Sequence, residues 1–394
     1  MKVLSIVFVF LFGCIIATPL IFIDTKSTVS ETEKRPLSNI PVSPLIRDGK
    51  LNAEYLTAMP KTIDNYLNDR FAFRKNYIAL MSDFDYFVMR KKHNKSVLAG
   101  KDNWLFYIKR DVGNSFSDFF KQNLLTDTYV QAIIDKIAEV SSFCEEQGIV
   151  FLCLIAPEKH AVYPEKYPFP QPTGLSRTDQ IMNALGEGLR EQVLYPRDYL
   201  ISKKAEHTQP LFYPSGTHWN QLGAYYVSQL IYDKLKPVFP DIPKTEYQFT
   251  AYPDAGEDSI AYLALNKKRY ETPFELLNVE PVDNWENHYR YLKRSMPRNT
   301  DANGAPQYAE PGRYNAVTEN RDSGLPRALV FRDSYFLTLE PFTSCIFSFA
   351  EYVWDDNSKK NYDYIRSRKP DVFIWEFGER GLGQVPTVSY GGKK

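Results

Sequence analysis

Hydrophobic and polar positions divide the chain into a leader, a polar stretch and a long patterned body. After Lys2 comes the apolar run VLSIVFVFLFGCIIATPLIFI, residues 3–23, closed by Asp24. As a helix that run rises about 32 Å, enough to cross a bilayer core. A cleaved signal peptide has a shorter apolar region and a small-x-small cleavage site, and neither is evident. The LFGC at 11–14 has the outline of a lipoprotein box, but Phe12 is bulky and the run continues past Cys14. Residues 1–25 therefore read as an uncleaved signal anchor, with Lys2 inside and the remainder outside. All three readings export the rest of the chain. Residues 26–60 are rich in Thr, Ser, Pro and charge, and Pro36, Pro41 and Pro44 oppose a helix there, so they read as a polar stalk.

The body, residues 61–385, alternates helical and strand periods. Residues 61–92 carry Ile63, Tyr66, Leu67, Phe71, Ile78 and Leu80 at helical spacing, within a helical lead-in that runs to 95. SVLAGKDNWLFYIK, 96–109, reads as a hairpin turning at 100–103. A helix is predicted over 126–147 with Gly148 as its cap, then a strand at 149–157, apolar throughout as for burial on both faces. Further helices are predicted at about 177–190 and 219–235, and strands near Val193, at 328–336 and at 371–377. Residues 240–326 look like an irregular insertion, and 386–394 a tail. The alternation implies an α/β fold, a mainly parallel sheet with helices on both faces.

Composition narrows the function. Lys+Arg and Asp+Glu are both 48, so net charge is zero, and no basic run points to nucleic acid. There is no phosphate loop and no HExxH pair, so no cofactor or metal is implied. Of four cysteines, Cys14 lies in the leader. Cys144, Cys153 and Cys345 are an odd set, which argues against a disulfide framework and leaves one bond open.

In a parallel sheet, functional groups sit past the carboxyl ends of strands. Three segments meet that test: Ala156–Lys159, Phe331–Tyr335 and Gly216–Asn220. Ser334 is a nucleophile if a base adjoins it and an N-cap if none does. His218, at the head of a strongly patterned helix, is the candidate base. Ser334 N–H is the natural first oxyanion donor, and Lys159 or Arg332 could add positive charge. Trp219, Asn220 and Tyr335 are further candidate oxyanion or substrate contacts, and Trp104 a sugar-stacking candidate. For all of these, core packing or solvent facing is the alternative. Glu376 and Arg380 read as a structural ion pair.

Taken together the segments resemble a known family. GTHWNQLGAYY, 216–226, resembles the DxHW(N/S)xxGA signature of the SGNH-hydrolase-like proteins of alginate acetylation, the AlgX/AlgJ type. DRFAFRKNYIAL at 69–80, GKDNWLFY at 100–107, FLCLIAPEKHAVYPEKYP at 151–168, FRDSYF at 331–336 and PDVFIWEFGER at 370–380 resemble its other segments in the same order. The resemblance implies an SGNH-type fold with the His motif before the Ser. It also implies Ser-His-Asp chemistry through an acetyl-serine, with Ser334 as nucleophile and His218 as base. The acetyl group would come from a multipass membrane O-acyltransferase. It would end on a polysaccharide outside the cytoplasm, in the periplasm or at the cell surface. An acetyl-esterase using the same serine, or a non-catalytic glycan-binding or assembly protein, are the other readings. One position departs: where the family has Asp, two before His218, stands Gly216. Either another carboxylate replaces it, or a Ser-His dyad works with a carbonyl orienting the ring, or the protein binds glycan without transfer.

Overall fold

The computed structural model describes residues 2–30, 35–40, 46–47, 50–91, 93–108, 114–254, 256, 258–265, 273–294, 315–320, 322, 324–354 and 362–388. Pro41 and Pro44 of the expected stalk, residues 266–272 and 295–314 of the expected insertion and residues 389–394 of the tail lie outside these ranges. The chain divides into two compact units: Met1–Lys91 with Ala264–Asn266 and Pro297–Ala309, and Lys92–Leu263 with Lys267–Met296 and Glu310–Lys394.

In the first unit, α1 (Lys2–Ile21) is the apolar leader. Its side chains are described at 6–10, 12–14, 17, 18 and 21, and Ile6, Phe8, Val9, Phe10 and Phe12 are exposed. Among the described residues no helix is long and apolar enough to cross a membrane. The helical stretch expected over 61–92 is broken at 71–73, and its last turn, Phe84–Val88, is a π-helix. α2 (Ala53–Arg70) begins earlier, behind Asn52, whose side chain accepts from Tyr55 N–H. It ends before Phe73, whose φ of 60° no helix accommodates, and α3 (Arg74–Asp83) follows. Buried Arg70 explains the DRF segment. Its guanidinium donates to the carbonyls of Asp24, Ser27 and Ser38 and to the Asn39 side chain, while Asp69 accepts from Ser38 N–H. Asp69 and Arg70 thus fasten Asp24, Ser27, Ser38 and Asn39 to the end of α2.

The second unit opens with the expected hairpin, β1 (Val97–Ala99) and β2 (Leu105–Tyr107). Asp102 and Asn103 take its two left-handed positions, a conformation their short polar side chains tolerate. Then come α4 (Asp127–Glu146), ended by Gly148 at φ 68°, and β3 (Val150–Ala156). α5 (Arg177–Ala184) starts at a Ser176/Asp179 capping box and stops short of the expected 190, because extended Gly186 interrupts it. β4 (Val193–Leu194) and α6 (Gln221–Leu235) follow. Much of the region read as irregular is ordered: β5 (Tyr247–Pro253) pairs with β6 (Glu275–Pro281), and β7 (Arg290–Arg294) and β8 (Ala316–Glu319) join the main sheet. The chain closes with β9 (Arg327–Arg332), α7 (Glu340–Ser344), β10 (Phe349–Trp354), α8 (Tyr362–Arg368) and β11 (Val372–Gly378).

The main sheet runs β7-β8-β10-β9-β11-β3-β4. From β10 to β4 all neighbours are parallel, while β7 and β8 form an antiparallel edge. Both faces are covered, so the strands read as apolar runs. Leu152 and Leu154 of β3 and Val330 of β9 point into one layer with Leu222, Val227 and Ile231 of α6. Phe151, Cys153 and Ile155, with Leu329 and Phe331, point into the other against Ile133, Ile137 and Val140 of α4. Because β3, β9 and β11 are parallel, residues 157–159, 333–335 and 378–380 emerge at one end of the sheet.

Candidate active site

Ser334 sits on a turn held by acidic side chains. Past β9, Asp333 N–H donates to Glu376 Oε2 at 2.8 Å. Asp333 Oδ1 accepts from Tyr335 N–H at 2.8 Å, and Oδ2 accepts from Gly378 N–H at 2.8 Å. A side chain at 378 would crowd this arrangement, since its Cβ would lie 3.1 Å from Asp333 Oδ2 and 3.3 Å from the Tyr335 ring. Buried Glu376 is pushed well above the usual carboxylate range, by burial and then by the negative charge of Asp333. Ser334 is left half-buried on the turn, and among the described residues its N–H has no hydrogen-bond partner.

The histidine sits on a loop held by a cation. Buried Lys159 shares its ammonium among the carbonyls of Leu105 (2.5 Å), Tyr213 (3.0 Å), Pro214 (2.9 Å) and Gly216 (2.5 Å). It also lies over the rings of Trp104 and Phe106. An ammonium out of water requires such partners. Tyr213 N–H donates to His218 carbonyl, closing the loop. Asn220 caps α6 through Gly223 N–H and donates to Pro210 carbonyl. Gly223 is required there, because a Cβ would lie 2.2 Å from the Leu211 carbonyl oxygen.

Two contacts tie loop and turn together before the reacting groups meet. Trp219 Nε1–H donates to Tyr335 carbonyl at 3.0 Å, and Tyr335 hydroxyl donates to Thr217 carbonyl at 3.0 Å. Arg380 donates to the same hydroxyl at 3.2 Å and pairs with Glu158 at 2.5 Å. So braced, His218 Nε2 lies 2.7 Å from Ser334 Oγ. His218 Nδ1 lies 2.9 Å from Thr217 Oγ1. Among the described residues no carboxylate contacts the imidazole, so a hydroxyl stands where the family resemblance led one to expect a carboxylate. Burial, then the charges of Arg380 and Lys159, hold His218 well below the usual histidine range, which keeps it neutral at neutral pH.

The structure places the other sequence candidates as braces. Lys159 faces four carbonyls. Arg332 is fully buried, pairs with Glu340 at 2.6 Å and donates to the Asp333 carbonyl at 3.3 Å. Trp219, Asn220 and Tyr335 are buried, each holding backbone. Trp104 is likewise buried, beneath Lys159. The expected Glu376–Arg380 pair is not made: Glu376 receives Asp333 N–H and Arg380 takes Glu158. His218 precedes α6 by three residues and does not stand in its first turn. Cys144, Cys153 and Cys345 are free and buried. Sequence reading missed Thr217, whose signal was adjacency to His218, and Glu158, which stood in the quoted APEK segment.

Residues 97–284 match the family model for the SGNH hydrolase-like domain of the acetyltransferase AlgX. That range contains His218 and Lys159, and Ser334 follows it. No protein of curated function matches the chain by sequence. Among solved structures, Bacillus cereus PatB1 with a sulfonyl adduct is similar over 74% of this chain and 99% of its own, at 17% identity and a TM-score of 0.50. A DHHW family protein from Eubacterium siraeum is similar over 76% and 98%, at 11% identity and a TM-score of 0.49. The O-acetyltransferase domain of Pseudomonas putida AlgJ is similar over 73% and 92%, at 18% identity and a TM-score of 0.46. By that match, which spans the histidine loop and β3, residues 97–284 are similar to an SGNH hydrolase-like domain of the AlgX type, and the serine turn and β8 to β11 follow it.

Proposed function

We propose that this protein is an O-acetyltransferase that carries an acetyl group on Ser334 and delivers it to hydroxyls of an exported or cell-surface polysaccharide. The observation that carries this reading is the 2.7 Å contact between Ser334 Oγ and a neutral His218 Nε2. Neutral imidazole is the base-competent form. With Nε2 accepting the serine proton, Nδ1 bears the other proton and donates to Thr217 Oγ1. Ser334 Oγ then attacks the acetyl carbonyl, and His218 takes its proton. The tetrahedral oxyanion meets the unpartnered Ser334 N–H, in a field made positive by Arg380 and Lys159. The leaving group departs with the proton from His218, and acetyl-Ser334 remains. A sugar hydroxyl attacks it in the same way, giving up its proton to His218, and Ser334 is regenerated. Thr217 fixes the ring but carries no charge, so the imidazolium formed at each step is less stabilised than beside a carboxylate.

The acetyl donor side would be a multipass membrane O-acyltransferase. A single-pass anchor in the cell membrane rests on the sequence alone, on the apolar run at 3–23 behind Lys2. The remainder would then lie on the extracytoplasmic face. Protease added to intact spheroplasts should remove residues 26–394 and leave α1 in the membrane pellet. Protection of the whole chain would overturn this placement.

Intact-mass spectrometry after incubation with an activated acetyl ester tests the chemistry. Acetylation of the Ser334 peptide, and acetylated sugar once an oligosaccharide is added, is the expected result. Free acetate with no acetylated sugar would assign the esterase reading. A sulfonyl fluoride should label Ser334 in competition with the ester. A folded chain that takes neither acetyl nor sulfonyl at Ser334 would overturn both enzyme readings.

A further inference from the structure

A second feature lies at the same end of the sheet. A cavity of about 330 Å³ opens beside the ends of β3, β4 and β11, lined among others by His160, Lys121, Arg177, Asp118, Ser176 and Glu379. Its wall shares the end of β11 with the nucleophile turn. Glu379 follows Gly378, which holds Asp333, and precedes Arg380, which holds Tyr335.

Its most informative residue is His160. The side chain is buried edge-on against Phe119 and Tyr167, and among the described residues its ring nitrogens make no hydrogen bond to protein. Those nitrogens are not enclosed by protein, and His160 lines the cavity, so whatever occupies the cavity completes them. Burial holds it neutral, with one nitrogen donating and one accepting. A hydroxyl group, which both donates and accepts, is the complement of that pair.

The charges around it are already matched. Arg177 pairs with buried Asp118 at 2.6 Å, and Arg197 with Asp179 at 2.6 Å and Asp198 at 2.8 Å. Glu379 accepts from Thr178 and Tyr195 hydroxyls and from Glu158 N–H. An anion would find only Lys121 beside a surplus of carboxylates. A neutral polyol would find donors and acceptors interleaved. The volume is at the small end for ligand pockets, the scale of a single sugar ring.

We infer that this cavity is a saccharide subsite, which holds a neutral, hydroxyl-rich ring of the acceptor chain while a neighbouring ring meets acetyl-Ser334. Its role as an acceptor subsite rests on the acyl-transfer reading. Saccharide binding does not, and the two are tested apart. The full chain in detergent is titrated by ligand-observed NMR with tetramers of glucose, mannose and galactose, and with a uronate tetramer. A neutral tetramer should bind. His160→Phe should weaken it about tenfold, the loss of roughly one hydrogen-bonded hydroxyl. His160→Gln, which keeps a donor and an acceptor, should stay within about threefold of the native chain. Lys121→Ala, at the rim, should have a smaller effect than His160→Phe. Acetylation of Ser334 by a small activated ester should be unchanged in all three variants, with the loss confined to acceptor KM.

Unchanged binding in a folded His160→Phe chain would overturn the inference, as would binding of the uronate tetramer alone. So would an equal loss in the acetyl-serine step, which would mark His160 as a structural support. If the native chain never acetylates at Ser334, the acyl-transfer reading fails. The titration with His160→Phe and His160→Gln then still decides whether the cavity binds saccharide.

Discussion

The two loops that meet at the site are pinned by opposite kinds of side chain, acidic on one and basic on the other. On the serine turn the groups needing partners are backbone N–H groups, of Asp333, Tyr335 and Gly378, and the carboxylates of Asp333 and Glu376 accept them. On the histidine loop they are carbonyls, of Tyr213, Pro214 and Gly216, and Lys159 donates to them. Each loop thus carries the side chains that its own unpaired backbone groups require. The difference teaches why charged residues near the chemistry need not touch it. They set the positions of Ser334 and His218, and the electrostatic bias on His218 follows from where they sit.

Substitutions at each loop separate catalysis from scaffolding. The largest effect is expected from Ser334→Ala, which should lower turnover by roughly 10³-fold or more while leaving the melting temperature unchanged. Retention of full activity would remove the nucleophile assignment. Next comes Lys159→Met, which leaves several carbonyls without a donor and should cost about 3–5 kcal/mol in denaturant unfolding. A native-like midpoint would mean the histidine loop is held by other contacts. On the other loop Asp333→Asn sets an amide against one of two N–H donors and should cost about 1–3 kcal/mol. If it costs more than Lys159→Met, the serine turn is the more dependent of the two. Thr217→Val should reduce kcat about tenfold, with acceptor KM unchanged and a stability loss of about 1–3 kcal/mol, through loss of the orienting hydrogen bond to His218. Thr217→Ser should restore most of the rate.

The smallest effect lies in pH dependence, and its sign differs between the loops. His218 is depressed, so its contribution to stability is present above the unfolded value of about 6.5 and lost as pH falls. Glu376 is raised, so its contribution is present below about pH 4.3 and lost as pH rises. Glu376→Gln should therefore gain melting temperature over the native chain progressively from pH 5 to pH 8. In the same range kcat/KM should stay flat where an ordinary histidine base would protonate. A fall in kcat/KM centred near pH 6.5 would show that His218 is not depressed.

Much of this was legible in the sequence where periodicity and burial agree. β3 and β11 are covered on both faces, so their apolar runs read directly as buried parallel strands. β10 was not legible, because Glu351 breaks the run FAEYVW although the strand lies between β8 and β9. β7 and β8 belong to the antiparallel edge, where half-polar strands resemble loops. At the site, Ser334 and His218 stood out only through the ordered motifs around them. The roles of Lys159, Arg332 and Tyr335 could not be read, since a charged or aromatic residue at a strand end looks the same whether it faces a ligand or a carbonyl. Thr217 was hidden by the expectation of a carboxylate one position earlier, at Gly216.

The three free cysteines of the second unit give the molecule internal clocks. Cys144 and Cys153 lie in the layer under α4, and Cys345 follows α7 elsewhere in the core. Burial pushes the thiols of Cys144 and Cys345 up to about 12, so neither reacts while its surroundings stay closed. With exposed Cys14 replaced by Ser, the rate at which each thiol is alkylated becomes the opening rate of its own neighbourhood. Comparing the three rates would reveal whether the sheet's two sides come apart together or one before the other.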